Sequence, residues 1–441
     1  MTDRFDVIVV GARCAGSPLA ILLARAGLSV CVVDRAKFPS DTGSTHGVQP
    51  SGVQMLDRLG VLEPLLKVAP PIERGTIALD EARIEVSSFT ELVGAPMMSA
   101  RRVTLDAILL EAAATAGAEV RTQTAVTGLV EDRGRVVGVK TKSGELRAPL
   151  VVGADGVSST VARLVGAAEY HQTPAGRLFT WAYFEGAQAD HNHMWLGGIG
   201  DHGFLAFPTD GGLFMTAVVP SIERRDEVLA DREAAHAAEL AHWPELEATL
   251  AGAKRVGPIR LMSRDGFFRQ SAGPGWVLVG DAGHFKDPTP GQGISDALRQ
   301  AAKLAPALEQ ALAGGGTADR VLHDWWCWRD REAWEMYWFA HDMGAPGAPP
   351  LLVQEIQRRI AADPELTDGF LRVLNHEVAP SKVFTPSLAL AAISKALLKS
   401  PGHRGALLRE ARTLAVSSWR RRAPSAPSPA ARRRRGALVS R

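Results

Sequence analysis

Cysteine is scarce in this chain: Cys14, Cys31 and Cys327 are the only three in 441 residues, with no Cys-x-x-Cys pair. Neither a disulfide framework nor a thiolate zinc site is expected, and that usage fits a reducing cytoplasm. Long apolar runs are also missing, none reaching the roughly 18 residues that a spanning helix requires. The N-terminus enters a strand-like Phe5–Val10 run among Asp3, Arg4 and Asp6 rather than a basic segment followed by an apolar one, which argues against a secretory leader. His191 and His193 stand two apart without nearby cysteine or clustered acids, so no metal site is expected. Acids are absent from Arg420 to Arg441, where eight arginines fall, which leaves Met1–Trp419 at −6 although the whole chain is +2. An acidic body of this kind argues against nucleic acid as the partner.

What is present is enough apolar residue, 46% of the chain, to bury a large core in two or three domains. Phe5–Val10, a glycine turn, the helical pattern SPLAILLARAG and the strand-like SVCVVD form a βαβ unit. Ile72–Met98 alternates in short pieces, Arg102–Ala116 has helical spacing, and three strand-like segments then lead to LVVGAD. Between about Gly166 and Gly266 the chain reads as half-buried, aromatic-rich strands, interrupted by a charged helix near Glu223–Leu250. A buried strand returns at GWVLVGDA, followed by a Gly/Pro loop, a long alanine-rich helix and a helical region from about Val321 to Ser400.

Three segments carry chemistry. In the first, Gly11-Ala12-Arg13-Cys14-Ala15-Gly16 joins strand to helix and Asp34 closes the next strand. Such a turn brings backbone amides and a helix dipole onto a pyrophosphate, and the acid accepts from ribose hydroxyls. Arg13 replaces the middle glycine of the fingerprint, and its charge either lies near the phosphates or points to solvent. In the second, a buried strand delivers Asp155-Gly156 and then hydroxyls at a helix start. In the third, Asp281 at a strand end is followed by the Pro288–Gly293 loop, which aims the next helix N-terminus at a ligand and favours negative charge there.

Together these segments resemble the FAD-dependent monooxygenase superfamily of the aromatic-hydroxylase type, which includes geranylgeranyl reductases and flavin-dependent halogenases. The resemblance runs from about Phe5 to Ala313. It implies an α/β fold: a Rossmann-like FAD-binding domain (residues 1–70, 101–166 and 271–315) with an inserted mixed or antiparallel substrate-binding sheet (71–100 and 167–270). C-terminal helices (316–400) and a basic, disordered tail (401–441) follow. Gly11, Arg13, Ala15, Gly16, Asp34 and Arg35 fall in the dinucleotide fingerprint, and Asp155 in the DG motif. Asp281 falls in the GD motif, with Pro288, Gly291 and Gly293 in the loop beside the flavin ring. Arg102 resembles the family arginine that anchors the cofactor, and Val126 a position whose backbone meets adenine. Ser295 stands where many members have asparagine.

The reaction implied is hydroxylation of a lipophilic, aromatic small molecule. FAD is the resident cofactor, NAD(P)H a transient co-substrate and molecular oxygen the oxidant, with a C4a-hydroperoxyflavin passing one oxygen to substrate. A reductase that saturates an isoprenoid double bond is the competing class, and a flavoprotein without turnover, a redox sensor, is a third. In Gly203–Pro208, where similar isoprenoid reductases show YxWxFP and halogenases WxWxIP, only Phe207-Pro208 agrees with the reductase form. Trp181 and Tyr183, two apart on a strand, share one face that lines a substrate pocket or is core. Phe207 is a third candidate substrate contact, and His46 and His284 are the candidate catalytic residues. The aromatic helix around Asp324–Trp338 resembles one that caps substrate in related proteins. Leu388–Leu398 with Lys395 and Lys399 is compatible with peripheral membrane contact, and Arg420–Arg422 and Arg432–Arg435 with an anionic surface or with solvent. Nothing in the sequence sets an oligomeric state.

Overall fold

A computed structural model describes residues 3–44, 46–314, 318–399 and 401–421 of the chain. Val7–Val10, Val30–Val33 and Leu150–Gly153 consist almost wholly of buried β-branched residues, which suits strands covered on both faces. They sit side by side in a six-stranded sheet ordered 272–273, 276–278, 150–153, 7–10, 30–33 and 119–121. All neighbours are parallel except the outermost hairpin. Helices Gly16–Arg25, Arg102–Thr115 and Gly293–Ala313 pack against it around one large apolar core.

The second body is a seven-stranded sheet: 254–262, 179–185, 214–218, 202–208, 193–199, 74–79 and 82–86. It is antiparallel except where His193–Ile199 meets Arg74–Leu79. Register places Tyr183, Met215 and Phe207 in one row, and Trp181, Ala217, Leu205, Leu196 and Ile77 in the next, all on one face. Helices Leu351–Ala362 and Pro364–Leu374 cover part of that face through Ile360, Phe370, Leu371 and Leu374. On the opposite face, Phe204, Ala206, Phe214 and Val218 pack under Leu240, Trp243 and Leu246.

Two expectations change. The charged helix near Glu223–Leu250 is broken into Arg225–Ala230, Arg232–Leu240 and Pro244–Thr249. Asp231 starts a new helix by accepting from the Glu233 and Ala234 amides, and Pro244 can only open a helix, not continue one. The tail expected from residue 401 instead begins as helix Arg404–Arg420, whose alanine, leucine and arginine content favours helix. The Arg432–Arg435 cluster and the rest of the expected tail lie outside the described residues.

Candidate cofactor and substrate site

Gly11 ends the first strand with φ +104°, and a Cβ there would stand 2.5 Å from the Ala154 carbonyl oxygen, so the turn passes under the neighbouring strand only as glycine. Gly16 opens helix Gly16–Arg25 against the Gly11 carbonyl, and Ala15 beside it is buried. That helix starts with no side-chain cap and no acid in its first turn, leaving its amides and dipole for an anion. Asp34 is held by the turn it follows: its two oxygens accept from the Ala12 and Ala36 amides, each at 2.8 Å. Arg35 is exposed, and half-buried Val126 opens Val126–Asp132, the edge strand of a separate four-stranded sheet.

Arg13 points neither to the phosphate position nor to solvent. Its guanidinium donates to Asp106 at 2.5 Å and to the Ser40 hydroxyl at 2.9 Å. Asp106 is fully buried and also accepts from Arg102 at 3.0 Å and from the Cys14 thiol at 3.2 Å. Burial, ahead of every charge, pushes the Cys14 thiol well above its usual range. Two arginines share one carboxylate beside the glycine turn, an arrangement that suits a pyrophosphate. The Asp155 carboxylate accepts from the Ser159 hydroxyl and from the Thr160 and Val161 amides. It therefore fixes the start of helix Thr160–Leu164.

At the other end Asp281 stands in a single turn, Gly280–Ala282. Its carboxylate accepts no hydrogen bond among the described residues, and burial, opposed first by Arg102, raises its pKa to about 6. A nearby polyol would supply the missing donors. The Pro288–Gly293 loop is pinned from several sides. The Gln49 side chain donates to the Pro290 carbonyl at 3.1 Å, and its amide to Ser295 Oγ at 3.0 Å. Gln292 donates to the Val373 and Leu374 carbonyls at 3.0 and 2.8 Å. Below it, buried Asp296 pairs with Lys286 at 2.6 Å and His376 at 2.7 Å. Burial opposes, but the Lys286 ammonium first and then His376, whose own pKa burial lowers, hold its carboxyl well below the usual range. Gly291 has φ +65°, and a Cβ on Gly293 would meet nothing within 4 Å, so this loop presents open backbone at a helix N-terminus. The shielded positive turn, the unengaged Asp281 and the open loop fit a flavin dinucleotide lying between them.

Residues 41–44 and 46–47 run from this groove onto the large sheet. Gly43 lies against Trp181 and Gly47 against the Phe207 ring. His46 is 1% exposed and holds φ +61°, a left-handed conformation that costs a β-carbon residue energy. Its ring stacks on Tyr183 with centroids 5.7 Å apart, Nε2 shares a short hydrogen bond with the Tyr183 hydroxyl, and Nδ1 is buried without a partner. Burial first, then the positive field of Arg102, lowers its pKa to about 3, with Arg101 and Arg260 adding and Asp210 opposing. Burial raises Tyr183 to about 12, so both groups are neutral near pH 7. Beyond them an apolar recess is lined by Ile77, Met194, Leu196, Leu371 and Leu374, with Gln49 at its margin.

The structure thus brings His46, Trp181, Tyr183 and Phe207 together. His284 lies elsewhere, buried against Phe268 and Tyr337 with centroids 4.6 and 5.8 Å away. Arg101 and Asp210 escaped the sequence reading: Arg101 Nη2 meets Asp210 at 2.9 Å, and its guanidinium lies over the Tyr183 ring. The adjacent pair Arg101-Arg102 was the available signal, one arginine serving the cofactor side and the other the sheet. Among the described residues no group of three or more His, Cys, Asp or Glu is placed to hold a metal, and no helix is long and apolar enough to cross a membrane.

Residues 4–334 match the family model described as FAD binding domain. The chain is 30% identical over 339 residues to menaquinone reductase of Mycolicibacterium smegmatis, covering 72% of this chain and 79% of that protein. It is 30% identical over 338 residues to 6-methylpretetramide 4-monooxygenase of Streptomyces rimosus, covering 72% and 78%. Among solved structures, the flavin-dependent brominase Bmp2 superposes with a TM-score of 0.73 at 21% identity, over 90% of this chain and all of that one, a likeness of fold.

Proposed function

From a chain that belongs to the FAD-binding-domain family, and is therefore an FAD-dependent oxidoreductase, we infer a monooxygenase that hydroxylates a lipophilic aromatic small molecule with NAD(P)H and oxygen. The balance is substrate C–H plus O2, NAD(P)H and a proton giving substrate C–OH, water and NAD(P)+. Bound FAD supplies the two-electron chemistry and the activation of oxygen.

The residues that would hold it are Gly11, Gly16, Asp34, Arg102, Asp281, Pro288, Gly291 and Gly293. Arg13 supports them by fixing Asp106. Trp181 and Phe207 would form the apolar face against which the substrate ring packs and water is excluded. His46 Nδ1 meets a polar substituent on that ring. With Nε2 engaged by Tyr183, the neutral imidazole passes a proton between substrate oxygen and Tyr183. His284, packed on Phe268 and Tyr337 away from that face, is given no part, although its Nε2 is also buried without a partner.

The observation that carries this reading is His46: buried, strained and half-satisfied, beside an aromatic face. A buried nitrogen without a partner is costly and is relieved by a ligand. A reductase acting on a prenylated acceptor is the second reading, favoured by the relative named as a menaquinone reductase. Oxygen uptake by the FAD-loaded protein with NADPH or NADH separates them. Uptake stimulated by a polycyclic phenol supports the hydroxylase. Anaerobic NAD(P)H oxidation that needs a prenylquinone, with no substrate-stimulated uptake, replaces it with the reductase.

A further inference from the structure

Charge is segregated along this chain more sharply than its total of +2 suggests. Residues 386–441 hold thirteen lysines and arginines and one acid, Glu410, which leaves the preceding residues at −10. The described part of this segment is two helices, Pro386–Lys399 and Arg404–Arg420. One side of the pair is ordinary core, where Ala392, Ala396 and Leu407 pack on Leu352 of helix Leu351–Ala362.

The outer side is not ordinary. On the first helix, Leu390 is 63% and Leu398 81% exposed, four and four residues either side of exposed Ser394. On the second, Leu408 is 58% and Val416 40% exposed, in a stripe with exposed Arg404 and Arg412. Residues spaced by four share a helix face. Arg409 flanks these stripes, also exposed, while Lys395 and Lys399 reach the buried Glu355 carboxylate at 3.3 and 3.6 Å.

From this juxtaposition we propose that the two C-terminal helices dock the protein on an anionic lipid bilayer, with the leucines entering the acyl boundary and the cations at the headgroups. Exposed leucines gain by leaving water, cations beside them gain from an anionic surface, and both together define a helix that lies in an interface rather than crossing it. Nucleic acid would satisfy the charge and leave the leucines in water. The acidic remainder of the chain faces no attraction to such a surface, so the charge asymmetry also orients the molecule.

Position gives the docking a use. Helix Leu351–Ala362 separates the two layers: Leu352 packs toward the C-terminal pair, Ile360 toward the sheet face that carries Trp181 and Tyr183, and Ile356 touches both. A lipophilic substrate dissolved in the bilayer would reach the face of Trp181 and Tyr183 past one helix. This last step rests on the function proposed above; the docking does not.

Sedimentation of the full, FAD-loaded chain with vesicles tests the docking without reference to turnover. Pelleting with phosphatidylcholine vesicles containing roughly one-third phosphatidylglycerol, little pelleting with phosphatidylcholine alone, and a several-fold loss in half-molar salt are expected. The triple variant Leu390→Gln, Leu398→Gln, Leu408→Gln should keep the parent melting curve, since these side chains are exposed, and lose on the order of tenfold in partitioning. Arg404→Glu, Arg409→Glu, Arg412→Glu should lose as much. Equal binding by the leucine variant, absence of vesicle binding, self-association in place of it, or preferential binding of a short DNA duplex would each overturn the proposal.

Discussion

Two buried histidines lie on opposite faces of the large sheet, and they differ in what surrounds their nitrogens. His236, 3% exposed, hydrogen-bonds through Nδ1 with Thr180 Oγ1 and through Nε2 with Thr216 Oγ1, both at 3.1 Å. His46, 1% exposed, has only Tyr183, and its Nδ1 faces no partner. Burial lowers both pKa values, to about 4 and about 3. Burial and desolvation are therefore common to a histidine that packs and to the one proposed to act. Satisfaction of the second nitrogen, together with a left-handed backbone at His46 alone of the two, is what separates them.

The largest effect tests what they share. A histidine whose folded pKa lies below its unfolded value near 6.5 stabilises the fold fully above pH 6.5, and that stability is lost as pH falls toward the folded value. Asp281 works in the opposite sense. Its pKa of about 6 lies above the usual carboxylate value of 3.8, so its contribution grows as pH falls through 6. Burial also lowers His193, His284 and His376 and raises Asp155 and Asp287, so histidines outnumber the opposing carboxylates five to three, and unfolding free energy should drop by on the order of several kcal/mol between pH 7 and pH 4. Urea titrations across that range check it, and His46→Gln and His236→Gln should each flatten the slope. A slope unchanged in both variants would remove the two residues from the account.

Replacement at neutral pH should split them. His46→Gln is expected to lower kcat on the order of 100-fold with a melting temperature near the parent's, because the glutamine amide can replace the Nε2 bond to Tyr183 and Nδ1 has no bond to lose. His236→Ala should leave kcat per folded molecule unchanged and cost about 2–4 kcal/mol, through a cavity and two stranded hydroxyls. The reverse pattern would exchange their roles.

Local chemistry was legible in the residues. The βαβ unit, the Gly11–Gly16 turn, the helix from Arg102 and the loop through Gly293 each follow from spacing within a short window. Partners far apart in sequence were not. Asp106 claims Arg13 across 93 residues, and Asp296 claims His376 across 80. Neither pairing alters the local pattern, since an arginine in a glycine turn reads alike whether it faces a phosphate or a carboxylate. The face shared by Trp181 and Tyr183 was visible from alternation. That His46 crosses 137 residues to meet Tyr183 was not, because a loop histidine has no periodicity to betray its burial. The helix Arg404–Arg420 was hidden by its arginines, which suit a solvated tail and a helix equally.

The smallest change turns His236 into a copy of His46. Thr216→Val preserves shape and removes the hydroxyl opposite Nε2, leaving one ring nitrogen bonded and the other buried without a partner. The cost should be about 1 kcal/mol, read from the urea midpoint at unchanged slope. His46 carries that cost in the parent, so an aromatic ligand with a polar substituent should raise the parent's melting temperature and raise it less in His46→Gln. If the ligand stabilises Thr216→Val more than the parent, the vacancy that matters lies on the other face of the sheet.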